Sequence, residues 1–213
     1  MDQWTSNLDF TNWTASVAQS LSREKTVNEG VLHPTIAYGR HRGPYRYDAR
    51  HSAVLMLLAP GDDGPELVLT RRSARLKSHS GQISLPGGKV DGDETPEQTA
   101  LREYHEELCP GSSSPDLRIL GILPDIYVFV SNFVMTPVVA AVPLWSDFSP
   151  NPSEVSGVYR VSLAKMRDQK HWIDDHLIRR GQLEFHVPAF ILDDGSQVWG
   201  ATCLAIQWLL QHT

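Results

Sequence analysis

Residues 95–108 admit one local reading, and the rest of the chain has to fold around it. Thr95-Pro96-Glu97-Gln98 carries three separate helix-start signals. Thr95 can accept a hydrogen bond from the first turn, Pro96 suits a first position where no N–H is needed, and Gln98 completes a capping box. Pro110 and Gly111 stop the helix after Leu108, while Ala100, Leu101, Tyr104 and Leu108 give it an apolar stripe to bury. On the same helix Glu103, Glu106 and Glu107 stand at i, i+3 and i+4, an arc of roughly 100° at 3.6 residues per turn. Like charges so spaced repel by roughly 0.2–0.5 kcal/mol per pair. They also lie in the C-terminal half of the helix, where the macrodipole disfavours anions. The arrangement costs stability unless something positive sits there. Arg102 can answer one carboxylate; a divalent cation would answer all three, and an all-oxygen donor set suits Mg²⁺ or Mn²⁺. Taken alone, E-x-x-E-E reads first as a solvated acidic face.

What precedes the helix is strand-like. Apolar runs at 53–58 and 66–70 are separated by Pro60-Gly61-Asp62-Asp63-Gly64, which predicts a β-hairpin. Residues 82–85 read as another short strand, ended by Pro86-Gly87-Gly88. Downstream strands are expected at 117–123, 127–130, 134–142, 155–161 and 184–192, with helices at 163–176 and 201–211. Strands outnumber helices and several pair as hairpins, so the fold class is α/β with a mixed sheet covered by helices. Residues 1–48 form a distinct piece. Phe10, Trp13, Val17 and Leu21 recur at helical spacing, and Gly30, Pro34, Gly39, Gly43 and Pro44 then break the chain into an extended arm. The apolar stripe packs on the domain or meets a second copy in a homodimer.

A total of 213 residues, 41% of them hydrophobic, suffices for one core without disulfides. Cys109 and Cys203 cannot build a disulfide framework or a multi-Cys zinc site, and no basic-then-apolar leader opens the chain, so a cytoplasmic, reduced setting is expected. The longest apolar runs fall short of the ~20 residues a membrane helix needs. The net charge of −6 argues against a partner made of nucleic acid backbone. That total hides an asymmetry: residues 40–89 hold nine Lys+Arg against four Asp+Glu, net +5, which leaves −11 elsewhere. Such a division reads as two solvated faces or as an anion-holding region beside a cation-holding one.

The spacing upstream of the glutamates is specific. Gly88, five residues, Glu94, seven residues and Arg102-Glu103-Tyr104-His105-Glu106-Glu107 together resemble the Nudix box, G-x5-E-x7-R-E-U-x-E-E-x-G-U with U aliphatic. Tyr104, Cys109 and Pro110 depart from it at the two aliphatic positions and the last glycine; every carboxylate is kept. The resemblance implies the Nudix fold, a mixed β-sheet sandwiched between α-helices, in a domain spanning 49–213. It further implies a divalent metal bridging a diphosphate, because water is a poor nucleophile and the diphosphate oxygens need neutralising. By that resemblance Glu103 and Glu107 are metal ligands, Glu106 is a ligand or acts on the water, the Gly88 carbonyl reaches the metal, and Arg102 orients a carboxylate.

Residues 68–88 are similar in turn to the signature of the coenzyme A pyrophosphatase branch, L-L-T-x-R-[SA]-x3-R-x3-G-x3-F-P-G-G. Thr70, Arg72, Ser73, Gly81, Pro86, Gly87 and Gly88 match; Val68, Lys77 and Leu85 depart. Coenzyme A carries a diphosphate and a 3′-phosphate, so Arg71, Arg72, Arg75 and Lys77, with the backbone at Gly87 and Gly88, are the expected substrate contacts. Strand alternation would send Arg71 and Arg72 to opposite faces, so only part of this set can reach one ligand. Asn151-Pro152-Ser153-Glu154-Val155 and Trp199-Gly200-Ala201-Thr202 resemble later segments of the branch. Glu154 is there either a distal general base or a structural hydrogen-bonding group. The implied reaction is metal-dependent hydrolysis of coenzyme A or acyl-coenzyme A. The same chemistry on ADP-ribose or a dinucleotide, and a nucleotide-sensing module without turnover, are the competing readings.

Overall fold

The computed structural model describes residues 7–24, 45–110, 117–128, 131–145, 147–180 and 183–213. Most of the expected arm, including Gly30, Pro34, Gly39, Gly43 and Pro44, lies outside the described residues, as do Gly111 and Val130.

The run 53–59 is buried on both faces because its strand sits in the middle of the sheet. This strand, β1 (Arg50–Gly61), pairs antiparallel with β2 (Gly64–Arg72) only near their shared turn, Leu58 facing Leu67 and Gly61 facing Gly64. Its first half pairs instead with β4 (Gly87–Lys89), Ala53 opposite Gly88. Its other edge runs parallel to β7 (Phe133–Ala141) along its length. The hairpin is therefore as predicted, but the strand at Gly87–Lys89 is new: glycines that read as a breaker are held extended by pairing with β1. With β3 (Ile83–Ser84), β5 (Arg118–Ile122), β6 (Ile126–Val128) and β8 (Val155–Ser162), eight strands form one mixed sheet among the described residues.

Alternation along β1 divides the core in two. Ala53, Leu55 and Leu57 face Ala100, Tyr104 and Leu108 of α2 (Pro96–Leu108). Val54, Met56 and Leu58 face the opposite cluster, which takes in α1 (Asn7–Glu24) and α4 (Ala201–Leu210). Phe10, Val17 and Leu21 of α1 are buried in that cluster, so the N-terminal stripe is used within the chain. The helix-covered mixed sheet is the α/β arrangement expected.

One expectation fails. The helix foreseen over 163–176 is only α3 (Leu163–Arg167), followed by a 3-10 turn at Gln169–His171 and a strand, β9 (Trp172–Arg180). Asp168 accepts from the Lys170 N–H and starts that turn, and pairing with β10 (Leu183–Ile191) holds 172–180 extended. With β11 (Gln197–Trp199) these strands make a second, three-stranded sheet that the periodicity did not reveal. No described helix is long and apolar enough to cross a membrane.

Candidate active site

The helix α2 begins as its sequence dictates. Gln98 N–H donates to Thr95 Oγ1 at 3.3 Å and Thr95 N–H to Gln98 Oε1 at 2.8 Å. At its other end Cys109 replaces the expected glycine with φ −139°, a conformation open to any residue. Its Sγ donates to the buried Tyr104 hydroxyl at 3.4 Å, so two of the departures from the box pack on one another.

Arg102 organises the carboxylates. Its Nε and Nη2 donate to Glu94 Oε1 and Oε2 at 2.8 and 3.1 Å, and its Nη1 to Glu103 Oε1 at 2.8 Å and Glu106 Oε2 at 3.2 Å. Nη2 also donates to the Lys89 carbonyl, tying the helix to β4. Glu94 is further fixed by the Thr99 hydroxyl and the Asp91 N–H, and the Arg102 guanidinium holds its carboxyl down to about 2. The Arg102 guanidinium is thus spent on three carboxylates, Glu94, Glu103 and Glu106, and on one carbonyl.

Glycine is required at β4 for close approach. A Cβ on Gly88 would lie 2.3 Å from the Glu103 carboxyl carbon. Gly87 has φ +154°, and a Cβ there would lie 2.4 Å from the Ala53 carbonyl oxygen.

Glu107 is the deepest acid, 3% exposed, and its Oε2 has no hydrogen-bond partner among the described residues. Burial, with the like charges of Glu103 and Glu154, pushes its carboxyl up to about 8, against the pull of Arg72 and the Gly87 N–H. Burial likewise raises Glu103, with Glu106 and Glu154 adding to it and Arg102 opposing. Glu106 is half exposed. Arg72 Nη1 stands 3.8 Å from Glu107 Oε1, an ion pair too long for a hydrogen bond, and its buried Nε is unpartnered.

Glu154 reaches this cluster from the segment that leads into β8. Asn151 N–H donates to the Glu107 carbonyl, Asn151 Nδ2 to Glu154 Oε1 at 3.3 Å, and Ser73 N–H to the Glu154 carbonyl at 2.7 Å. The segment 149–154 is therefore clamped to the end of α2 and to the end of β2. Asn151 was not foreseen as a positioning group; the signal was Asn151-Pro152-Ser153, which suits an Asx turn, and Ser153 N–H donates to Asn151 Oδ1 at 3.1 Å.

The basic set divides. Arg71 points away from Arg72, as alternation requires, and binds the Tyr159 hydroxyl, Asp194 and Ser196. It braces β2 against β8 and the loop before β11, so the expected substrate contact at Arg71 is replaced by a structural one. Arg75 and Lys77 are exposed on the loop after β2.

Among the described residues, no three acidic, histidine or cysteine side chains converge on one point as a formed metal cage. Glu103 and Glu106 turn to Arg102, and Glu107 turns to Arg72 and Gly87. The donor chemistry nevertheless fits a hard cation: an orphaned buried carboxylate oxygen, a second carboxylate raised chiefly by burial, and a peptide beside Gly88 with no side chain in the way.

A family model described as NUDIX domain matches residues 49–181. An uncharacterized Nudix hydrolase, NudL, of Yersinia enterocolitica is 34% identical over 176 residues, 80% of this chain and 85% of that one. The mitochondrial coenzyme A diphosphatase NUDT8 of Homo sapiens is 35% identical over 164 residues, 75% of this chain and 68% of its own. A mitochondrial protein of Arabidopsis thaliana, Nudix hydrolase 15, is 34% identical over 128 residues, 57% of this chain and 43% of its own.

Proposed function

The chain belongs to the Nudix hydrolase family, and on that premise we propose that it splits the diphosphate of coenzyme A or acyl-coenzyme A. The products are 4′-phosphopantetheine, or its acyl form, and adenosine 3′,5′-bisphosphate. The observation that carries this reading is the buried, unpartnered Glu107 carboxylate oxygen beside Arg72 and Gly87, in register with the upstream residues Thr70, Arg72, Ser73 and Gly81. A relative named as a coenzyme A diphosphatase supports the substrate.

The metal would be held by Glu103, Glu106, Glu107 and the Gly88 carbonyl. A bound Mg²⁺ or Mn²⁺ supplies neutralisation of the diphosphate oxygens and a water of lowered pKa. Arg102 keeps Glu103 and Glu106 on one side of α2 and, through Glu94 and Lys89, keeps the helix at β4. Arg72 offers its guanidinium to a phosphate oxygen. One P–O bond of the bridge breaks, one forms to water oxygen, and the water proton passes to a carboxylate. Glu154 is our candidate for that acceptor, since it is held near Glu103 and Glu107 by Asn151 rather than by a cation. Residues 49–213 form the hydrolase domain in this reading, with α1 as added support. Two free, buried cysteines suit a reducing, cytoplasm-like compartment.

The test is a comparison of kcat/KM for coenzyme A, dephospho-coenzyme A, ADP-ribose and a dinucleoside polyphosphate with Mg²⁺ and Mn²⁺. Coenzyme A should lead, and dephospho-coenzyme A should trail it through a raised KM. A preference for ADP-ribose or the dinucleotide would overturn the substrate.

A further inference from the structure

A cavity of about 320 Å³ lies between the main sheet and the second one. Arg72, Gly87 and Gly88 line it, and the same residues meet Glu107 and Glu103, so the cavity runs into the place proposed for the diphosphate. Lys89 adds a second cation beside Gly88, at the diphosphate end, and the remainder of the wall is largely apolar: Val54, Leu85 and Met135 on one side, Ile178, Val187 and Trp199 on the other. Neither the second sheet nor α4 gives it a charged side chain.

Much of its polar capacity is already spent. Ser52 Oγ donates to the Val134 carbonyl, Ser131 Oγ to the Val128 carbonyl, and the His79 and Gln82 side chains hydrogen-bond one another. Arg72 and Ser84 line the cavity, and each holds one buried donor, Nε and Oγ, with no hydrogen-bond partner among the described residues. The first turn of α4 also reaches it at Ala201 and Thr202, behind an N-cap glycine that provides no side-chain cap. The cavity therefore offers donors to a phosphate, further donors along its wall, and hydrocarbon between them. A purine seated here would bury an amino group with few acceptors to meet it, at a desolvation cost, and a phosphorylated ribose needs cations. The exposed cations Arg75 and Lys77 stand outside, on the loop after β2.

The geometry points to this cavity as the site for the uncharged pantetheine arm of the substrate, with Arg72 and Ser84 beside the adjoining phosphate and the phosphorylated nucleoside directed to the loop carrying Arg75 and Lys77. Amide carbonyls of the arm meet the donors of α4, and its branched alkyl segment meets the apolar wall. The assignment rests on the coenzyme A reading and adds to it which half of the molecule goes where; Ser84 becomes a binding residue that no motif marked.

The two reaction products are the two halves, so each can be titrated separately into the full-length protein by calorimetry with Mg²⁺ present. Ala201→Leu fills the cavity from the first turn of α4, and Ile178→Trp fills it from strand β9, both at half-buried positions where extra bulk is less disruptive to folding. Both should weaken 4′-phosphopantetheine about tenfold or more, the scale of a hydrophobic pocket that no longer fits its ligand. Adenosine 3′,5′-bisphosphate should bind as it does to the wild type. Weakening of the bisphosphate alone, or of neither half, would overturn the assignment while leaving coenzyme A cleavage intact. A wild-type protein that neither cleaves coenzyme A nor binds either half would bring down the proposed function and this inference together.

Discussion

Replacing Glu107 with Gln tests the electrostatics of the site without a substrate. The Glu107 carboxyl is pushed from an ordinary value of 4.5 up to about 8, chiefly by burial. In cation-free solution the native protein therefore keeps this proton up to about pH 8, whereas the unfolded chain loses it near 4.5. Between those values the native state binds one proton more than the unfolded state, so stability falls as pH rises, by roughly 1.4 kcal/mol per pH unit. Above pH 8 the accumulated penalty is on the order of 5 kcal/mol. Glutamine pays none of it. At about 2–4 °C per kcal/mol for a chain of this size, the melting temperature of Glu107→Gln should rise relative to wild type by roughly 10–20 °C between pH 5 and pH 9. The assay is thermal unfolding in chelator across that range, repeated with saturating Mn²⁺. The cation should recover much of the wild-type loss by binding the native state, by about 2.7 kcal/mol at one hundred times its Kd, and should leave Glu107→Gln nearly unmoved. Parallel pH profiles for the two proteins, or equal stabilisation of both by Mn²⁺, would refute the reasoning.

Other perturbations separate positioning, binding and support. Gly88→Ala drives a methyl into the Glu103 carboxylate, which can swing away, so hydrolysis should fall about a hundredfold or more while stability changes by about 1 kcal/mol or less; matched kinetics and melts decide. Arg72→Ala should raise the KM for coenzyme A and lower kcat, whereas Arg71→Ala should leave kinetics intact and lower stability by about 1–3 kcal/mol through loss of its bonds to Tyr159 and Asp194. Leu21→Ala, cut from the buried face of α1, should cost about 2–5 kcal/mol in denaturant titrations without changing kcat/KM at low temperature.

The parts of the site that sequence reveals are those built by neighbours in the chain. The capping box, the spacing of Glu94, Arg102, Glu103, Glu106 and Glu107, and the β1–β2 turn are all set within a few residues, and each stands where expected. Longer-range pairing decides the rest. Gly87–Lys89 is a strand because β1 supplies its partner, and 172–180 is a strand because β10 does; each segment alone favours another state. The fate of Arg71 was legible only as a choice of faces, since Tyr159, Asp194 and Ser196 are distant in sequence. Nor could charge order mark Ser84, whose hydroxyl matters through what it lacks after folding.

Hydrolysis at the diphosphate bridge of coenzyme A is read out by the identity of its products. Incubation of the full-length protein with coenzyme A and Mg²⁺ or Mn²⁺, followed by chromatography and mass measurement, should yield 4′-phosphopantetheine and adenosine 3′,5′-bisphosphate in equal amounts, and the Glu107→Gln protein should yield neither at a comparable rate. Coenzyme A left intact with both metals, or cleaved at any bond other than the diphosphate, would contradict the claim.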